Sequence, residues 1–175
     1  MFRPLKPNEI ECRVQQVKGT QKGVGCILLL YKDARCDMRI LDEVFTPFGW
    51  TREHKELKGN IYCGVTITKD GNTATKWDCG SESFTEKQKG ESSDSFKRAC
   101  FNWGIGRELY TSPFIWINLN EGEYYQDGKD KYGKPKYKLG FKTKFKVNHI
   151  VTTDGIIKEL GISDGKAYRF QWTCK

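Results

Sequence analysis

The run Gly90–Tyr110, GESSDSFKRACFNWGIGRELY, restricts the possible folds more than any other stretch. Phe96, Ala99, Cys100 and Trp103 fall at i, i+3, i+4 and i+7, which gathers apolar side chains on one helical face. Lys97 and Arg98 lie outside that stripe, so a helix that buries Phe96 and Trp103 turns both cations towards solvent. Gly104 stands where a left-handed C-cap residue is expected, and Gly106 keeps the next turn loose. Upstream, Ser83 and Glu86 have capping-box spacing, which predicts a start near Phe84 and passage through Gly90 at some cost. On pattern alone, Lys97–Arg98 reads as a solvated helix face.

A long helix with one apolar face needs a surface to cover. Three strands, Gly49 to Leu57, Ile61 to Thr68 and Thr73 to Cys79, precede it. Short turns at Lys58-Gly59-Asn60 and Lys69-Asp70-Gly71-Asn72 connect them, the mark of an antiparallel meander. Further upstream, Pro7 to Gln16 reads as a short first helix carrying Arg13, with Ile10, Val14 and Val17 on one side. A Gly- and Lys-containing turn, Lys18 to Gly25, leads into the strand CILLLY, which ends at Tyr31. Asp33 is placed to cap a second helix with Ala34, Met38, Leu41 and Phe45 as its stripe, ended by Pro47 and Gly49. The expected class is α+β: a curved antiparallel β-meander packed against a long central helix, with a small C-terminal β-meander.

After Pro113 the character changes. PFIWINL reads as a strand, and Asn120 to Asp127 as an acidic, tyrosine-bearing loop. Gln126–Lys146 carries eight lysines against two aspartates, interleaved with Tyr132, Tyr137, Phe141 and Phe145; its net charge is +6 of the chain's +8. This composition suits a phosphate-tracking surface with stacking platforms, and equally a solvated loop. Two Asp-Gly turns, Asp154-Gly155 and Asp164-Gly165, separate Phe145–Thr152, Ile156–Ile162 and Lys166–Trp172 into a second small meander. The resulting organisation is a core over residues 1–119, a Lys/aromatic-rich loop over 120–147, and a C-terminal meander over 148–175 that joins the same domain.

A net charge of +8 directs attention to nucleic acid as partner. The longest apolar run, Cys26 to Tyr31, is far short of a membrane span, and Met1 leads into polar sequence, so neither membrane nor export is expected. Seven cysteines in an odd count without CxxC point to reduced, buried thiols and a cytoplasmic setting. With two histidines, no metal site is expected, and the absence of G-x-x-x-x-G-K-[ST] argues against a P-loop ATPase. No catalytic residues and no cofactor are assigned.

GESSDSFKRACFNWGIGRELY, preceded by LDEVFTPFGW and NIYCGVTI, resembles the phage Sak-type single-strand annealing proteins of the wider Rad-fifty-two recombination mediator superfamily. The resemblance covers roughly Pro4 to Trp116, with a D-x-x-K-R-A core at Asp94, Lys97, Arg98 and Ala99. It implies a DNA-binding protein that anneals complementary single strands in recombination and repair, hydrolyses no nucleotide, and assembles side by side into rings or arcs. Single-stranded DNA would lie in a basic groove around the assembly. The resemblance assigns the groove's Lys-Arg pair to Lys97 and Arg98, its tyrosine to Tyr31, and an upstream arginine to Arg13. A further groove arginine of the family falls on Phe101 here, and Arg107, Lys22 or the lysine segment is left to supply that contact. A single-strand-binding protein or an exonuclease is the expected protein partner, in the cytoplasm of a bacterial host.

Two other classes fit the same residues. A small metal-dependent nuclease would need acids such as Asp70, Asp78 and Asp94 to converge on Mg²⁺. A basic scaffold would recruit replication partners through the lysine segment.

Overall fold

A computed structural model describes residues 2–81 and 87–174. The chain divides into two compact units, one of Met1–Pro4 and Lys32–Arg107, the other of Leu5–Tyr31 and Glu108–Lys175. Each is antiparallel and the first holds both α-helices, so the chain is α+β with a meander against a central helix and a C-terminal meander.

In the first unit, α1 (Ala34–Phe45) begins at Asp33, whose carboxylate accepts from Arg35 N at 2.8 Å. Its buried face is Cys36, Asp37, Ile40 and Leu41. The expected stripe is therefore rotated: Leu41 is buried, but Ala34, Met38 and Phe45 are only half-buried. A carboxylate that apolar periodicity disregards occupies the core side instead. Strands β3 (Trp50–Leu57), β4 (Asn60–Lys69) and β5 (Asn72–Cys79) form a sheet in that order. Leu57 pairs with Asn60 and Lys69 with Asn72 across two-residue turns. The central residues Lys58-Gly59 and Asp70-Gly71 all have positive φ, the tight hairpin geometry that matches strand twist.

Helix α2 (Lys87–Trp103) lies on β4 and β5. Phe96, Ala99 and Cys100 are fully buried, Cys63, Val65 and Ile67 of β4 are buried too, and Trp103 Nε1 donates to Val65 O at 2.9 Å. The capping pair Ser83–Glu86 and the expected start at Phe84 lie outside the described residues. Two buried polar groups, Glu91 and Ser95, sit on the covered face. Glu91 accepts from Ile61 N at 2.6 Å, satisfying an amide at the start of β4.

The helix ends as expected. Gly104 has φ +103°, its N–H donates to Phe101 O, and Ile105 N–H donates to Cys100 O, the paired bonds of a Schellman motif.

In the second unit, a six-stranded sheet runs β11-β10-β9-β1-β2-β6. Its strands are β1 (Glu11–Thr20), β2 (Gly23–Tyr31), β6 (Ile115–Asn118), β9 (Lys146–Thr153), β10 (Ile156–Ser163) and β11 (Tyr168–Thr173). The C-terminal meander continues this sheet through Glu11 opposite Lys146. Its Asp154-Gly155 turn is again a positive-φ pair between Thr153 and Ile156.

Pro7 to Gln16 is not a helix. A single 3-10 turn, Pro7–Glu9, gives way to β1. The register shifts between Val14 and Gln16, so Val14 opposite Leu28 and Val17 opposite Cys26 share the buried face despite their three-residue spacing. A β-bulge adds one residue to a period of two, and the result imitates helical spacing.

The stretch read as a Lys/aromatic-rich loop contains a hairpin, β7 (Tyr124–Lys129) with β8 (Pro135–Leu139).

Candidate nucleic-acid interface

Lys97 and Arg98 project from adjacent positions on α2, on the side not used by Phe96 and Cys100. The Arg98 side chain is 46% exposed and its Nε lies 3.2 Å from Asp78 Oδ1, at the end of β5. Lys97 is more enclosed, 17% exposed, with Nζ 3.8 Å from Asp94 Oδ1 one helical step earlier. Both carboxylates have other donors as well. Asp78 accepts from Cys79 N and Asn102 Nδ2, and Asp94 from Ser81 N and Oγ. These acids hold the two cations at fixed places rather than neutralising them in a dry interior, because the pair is open to solvent on one side. The D-x-x-K spacing makes Asp94 legible in the sequence. Asp78 has no such signal, since twenty residues and a strand-to-helix crossing separate it from Arg98.

Arg107 is exposed, but its guanidinium faces the end of α2. Nε and Nη2 donate to Phe101 O at 3.1 and 2.8 Å, and Nη2 also to Asn102 O at 3.0 Å. Lys76 Nζ donates to the same Asn102 carbonyl at 2.8 Å and lies 4.6 Å from the centroid of the Trp103 ring. Two cations therefore cap the negative end of the helix.

Phe101, where the resemblance leads one to expect an arginine, covers a buried charge. Lys32 Nζ lies 4.4 Å from the Phe101 ring centroid and makes an ion pair with Asp37, both side chains being essentially inaccessible. Among the described residues Asp37 Oδ2 has no hydrogen-bond partner. Burial pushes the Asp37 carboxyl up to about 6, against the opposing pull of Lys32 and, more weakly, Lys97. Lys32 is thus a core residue and presents no charge to a ligand. Nothing in the sequence around it, apart from its place beside Tyr31, distinguishes it from a surface lysine.

Arg13 and Tyr31 come together in the second unit. The Arg13 guanidinium lies 4.9 Å from the Tyr31 ring centroid, and its Nη2 is 2.9 Å from Glu11 Oε2. Register explains the contact: Glu11 is opposite Tyr31 and Arg13 opposite Leu29, on the sheet face that does not hold Leu28, Cys26 and Val24. Tyr31 is 37% exposed and Leu29 36%, so an aromatic and a guanidinium share an open surface. On the same face the Trp116 ring lies against Gly25, where a Cβ would come within 2.2 Å of it. Trp116 is a flat aromatic on the same sheet face as Arg13 and Tyr31 that the sequence reading did not single out. Lys22, in the β1–β2 turn, is exposed.

Four of the seven cysteines are buried. Burial pushes Cys26 and Cys63 up to about 11, and Cys12 to about 12, so they are held as inert thiols. Among the described residues no group of three or more His, Cys, Asp or Glu side chains is placed to hold a metal ion. No helix among them is long and apolar enough to cross a membrane.

Taken separately, the Lys97–Arg98 surface of the first unit offers cations to a polyanion, and the Arg13–Tyr31 surface of the second offers a cation with a ring face. No individual curated protein matches the chain. The family model for the Rad52/22 family double-strand break repair protein matches residues 1–129, a span that contains Arg13, Tyr31, Lys97, Arg98 and Arg107. The chain belongs to the Rad52/22 family, whose members bind DNA and anneal single strands in recombination and repair.

Proposed function

We propose that this chain binds single-stranded DNA and anneals complementary strands without a nucleotide cofactor, as a ring or arc of many copies, in the manner of the phage Sak-type proteins. The observation that carries the reading is the family match over residues 1–129, a span in which Lys97–Arg98 and Arg13–Tyr31 each form a cation-bearing exposed surface. Phosphate contacts from Arg13, Lys97 and Arg98 fix a strand without reading its sequence. Tyr31 offers a stacking face. Arg107 supports the site indirectly, by fixing the end of the helix that carries the pair.

Holding one strand extended lowers the entropic cost of aligning two flexible chains, and base pairing then drives the product. Weak contacts repeated along an assembly add through effective concentration, so a monomer binds poorly. The setting is the cytoplasm of a bacterial host, with a single-strand-binding protein or an exonuclease as the neighbouring protein.

The test is annealing of two complementary labelled oligonucleotides without nucleotide, for wild type and the Lys97→Ala/Arg98→Ala variant. Fast annealing by wild type alone is the expected result. Equal annealing by both moves the site, and no annealing by folded wild type overturns the function. Magnesium-dependent cleavage of end-labelled DNA would replace it with the nuclease reading.

A further inference from the structure

The β7–β8 hairpin is built in two layers. Tyr124 pairs with Leu139 and Gln126 with Tyr137, which puts Tyr124, Tyr137 and Leu139 on one face, all half-buried. Tyr124 and Tyr137 meet edge to face at 5.6 Å. A Cβ at Gly19 would lie 3.0 Å from the Tyr137 ring, so this face is seated on β1. Gly19 is opposite Val24, on the sheet side that also buries Cys26 and Leu28. Arg13 and Tyr31 occupy the reverse side. The outer face of the hairpin carries Tyr125, 43% exposed, with exposed Lys136 and Lys138.

The tip is an organised turn. Asp130 Oδ1 accepts from Tyr132 N at 2.8 Å and Lys134 N at 2.9 Å, and Asp130 N donates to Lys134 O at 2.8 Å. Those amides, and more weakly the charges of Lys134 and Lys136, hold the Asp130 carboxyl below its ordinary range. Its charge is engaged by backbone, and Asp127 is engaged by Lys138 at 2.7 Å. Lys131, Lys134, Lys136 and Lys142 make no ion pair among the described residues. Tyr132 is 74% exposed with the Lys131 ammonium 5.0 Å from its ring centroid, and Phe141 is 94% exposed. A segment kept only for solubility needs neither an ordered tip nor bare rings between its lysines. Ring faces spaced among unpaired cations are what a single strand uses, its bases stacking while its phosphates find charge.

We propose that the β7–β8 hairpin is a second nucleic-acid site. It takes a single strand by its phosphates through Lys131, Lys134, Lys136 and Lys142 and by stacking on Tyr125 and Tyr132, on the side of the sheet opposite Arg13 and Tyr31. Its four lysines and Tyr132 lie beyond the family match, which ends at residue 129, whereas Tyr125 lies within it; the site rests on the proposed function only in taking DNA as the ligand. With one strand held elsewhere on the chain, the hairpin raises the effective concentration of an incoming strand on the same molecule.

The experiment loads the full chain onto immobilised oligothymidylate, washes, and measures retention of a second, fluorescent oligothymidylate. The variant is Lys131→Gln/Lys134→Gln/Lys136→Gln/Lys142→Gln, which leaves the Asp130 turn and the Lys138–Asp127 pair in place. It loads as wild type does and retains about tenfold less second strand, and the salt dependence of retention flattens by about 3, at roughly 0.7 per phosphate contact. Equal retention by both proteins overturns the proposal and favours a scaffold role. Loss of loading in proportion to loss of retention overturns it too, since the hairpin is then part of a single groove. If wild type fails to load, the Lys97–Arg98 reading is what has failed. Direct titration of the fluorescent strand in solution then decides the hairpin: binding lost in the quadruple variant supports it, and unchanged or absent binding overturns it.

Discussion

Arg98 Nε stands 3.2 Å from Asp78 Oδ1, tying the exposed side of α2 to the end of β5 in its own sheet. A phosphate bound by Arg98 must share it with that carboxylate. Asp78→Asn removes the competing charge and keeps an oxygen acceptor. It should raise affinity for oligothymidylate several-fold at low salt, with a change in stability of about 1 kcal/mol or less. Fluorescence anisotropy and a thermal melt read the two effects. A fall in affinity would mean that Asp78 positions Arg98 more than it competes for it.

Arg13 and Tyr31 make a separable test. Arg13→Ala should lower the magnitude of the salt slope of single-strand binding by about 0.7, one phosphate contact. Tyr31→Ala should weaken binding at every salt concentration by about 1–3 kcal/mol without altering the slope, because stacking releases no counterion. Tyr31→Phe should bind as wild type.

The Lys32–Asp37 pair governs stability rather than binding. Removing one partner, as in Lys32→Met or Asp37→Leu, should cost about 3–5 kcal/mol because a buried charge is left alone. The double substitution should recover most of that loss, read by denaturant unfolding. The pair also sets a pH dependence. The folded Asp37 carboxyl keeps its proton up to about 6, whereas an unfolded aspartate releases it near 4. Its contribution is therefore full below about pH 4 and is lost as pH rises through about 6, to a limit of about 3 kcal/mol. Wild type should lose stability relative to Asp37→Asn as pH rises through that window.

Arg169 carries the opposite sign. Its Nη1 contacts Glu123 Oε1 at 2.6 Å and Asp164 Oδ2 at 2.8 Å, and both carboxyls are held below their ordinary range, Glu123 chiefly by Arg169 and Asp164 first by the Ala167 amide. Stability from these groups is present above the unfolded carboxylate range and is lost as pH falls below it. Arg169→Ala should cost about 2–3 kcal/mol at neutral pH through its bonds to Glu123, and should flatten the acid limb of the stability curve.

Arg107→Ala should lower stability by about 1 kcal/mol through loss of the α2 cap, read as a lower melting temperature, and leave the salt slope of DNA binding unchanged. A flatter slope would make Arg107 a phosphate contact.

The sequence by itself determined what local rules control. Lys58-Gly59, Asp70-Gly71 and Asp154-Gly155 demanded positive φ and so placed three hairpins. Asp33 announced α1, and Gly104 announced the end of α2, because capping geometry depends on a few neighbouring residues. The stripe Phe96, Ala99, Cys100 told which face of α2 is buried and therefore where Lys97 and Arg98 point. Only the tertiary structure decided the rest. Val14 and Val17 share a strand face through a bulge that is defined by its partner strand. Lys32 and Asp37 are core residues because each supplies the other's counter-charge, which hydrophobic periodicity counts as polarity. Asp78 meets Arg98, and Tyr137 meets Gly19, across separations that no local spacing encodes. Charge and ring composition marked the lysine segment as a candidate surface. Strand pairing and the Asp130 turn decided that it is an ordered, two-sided hairpin, since which face of a strand is free depends on what the other face is packed against.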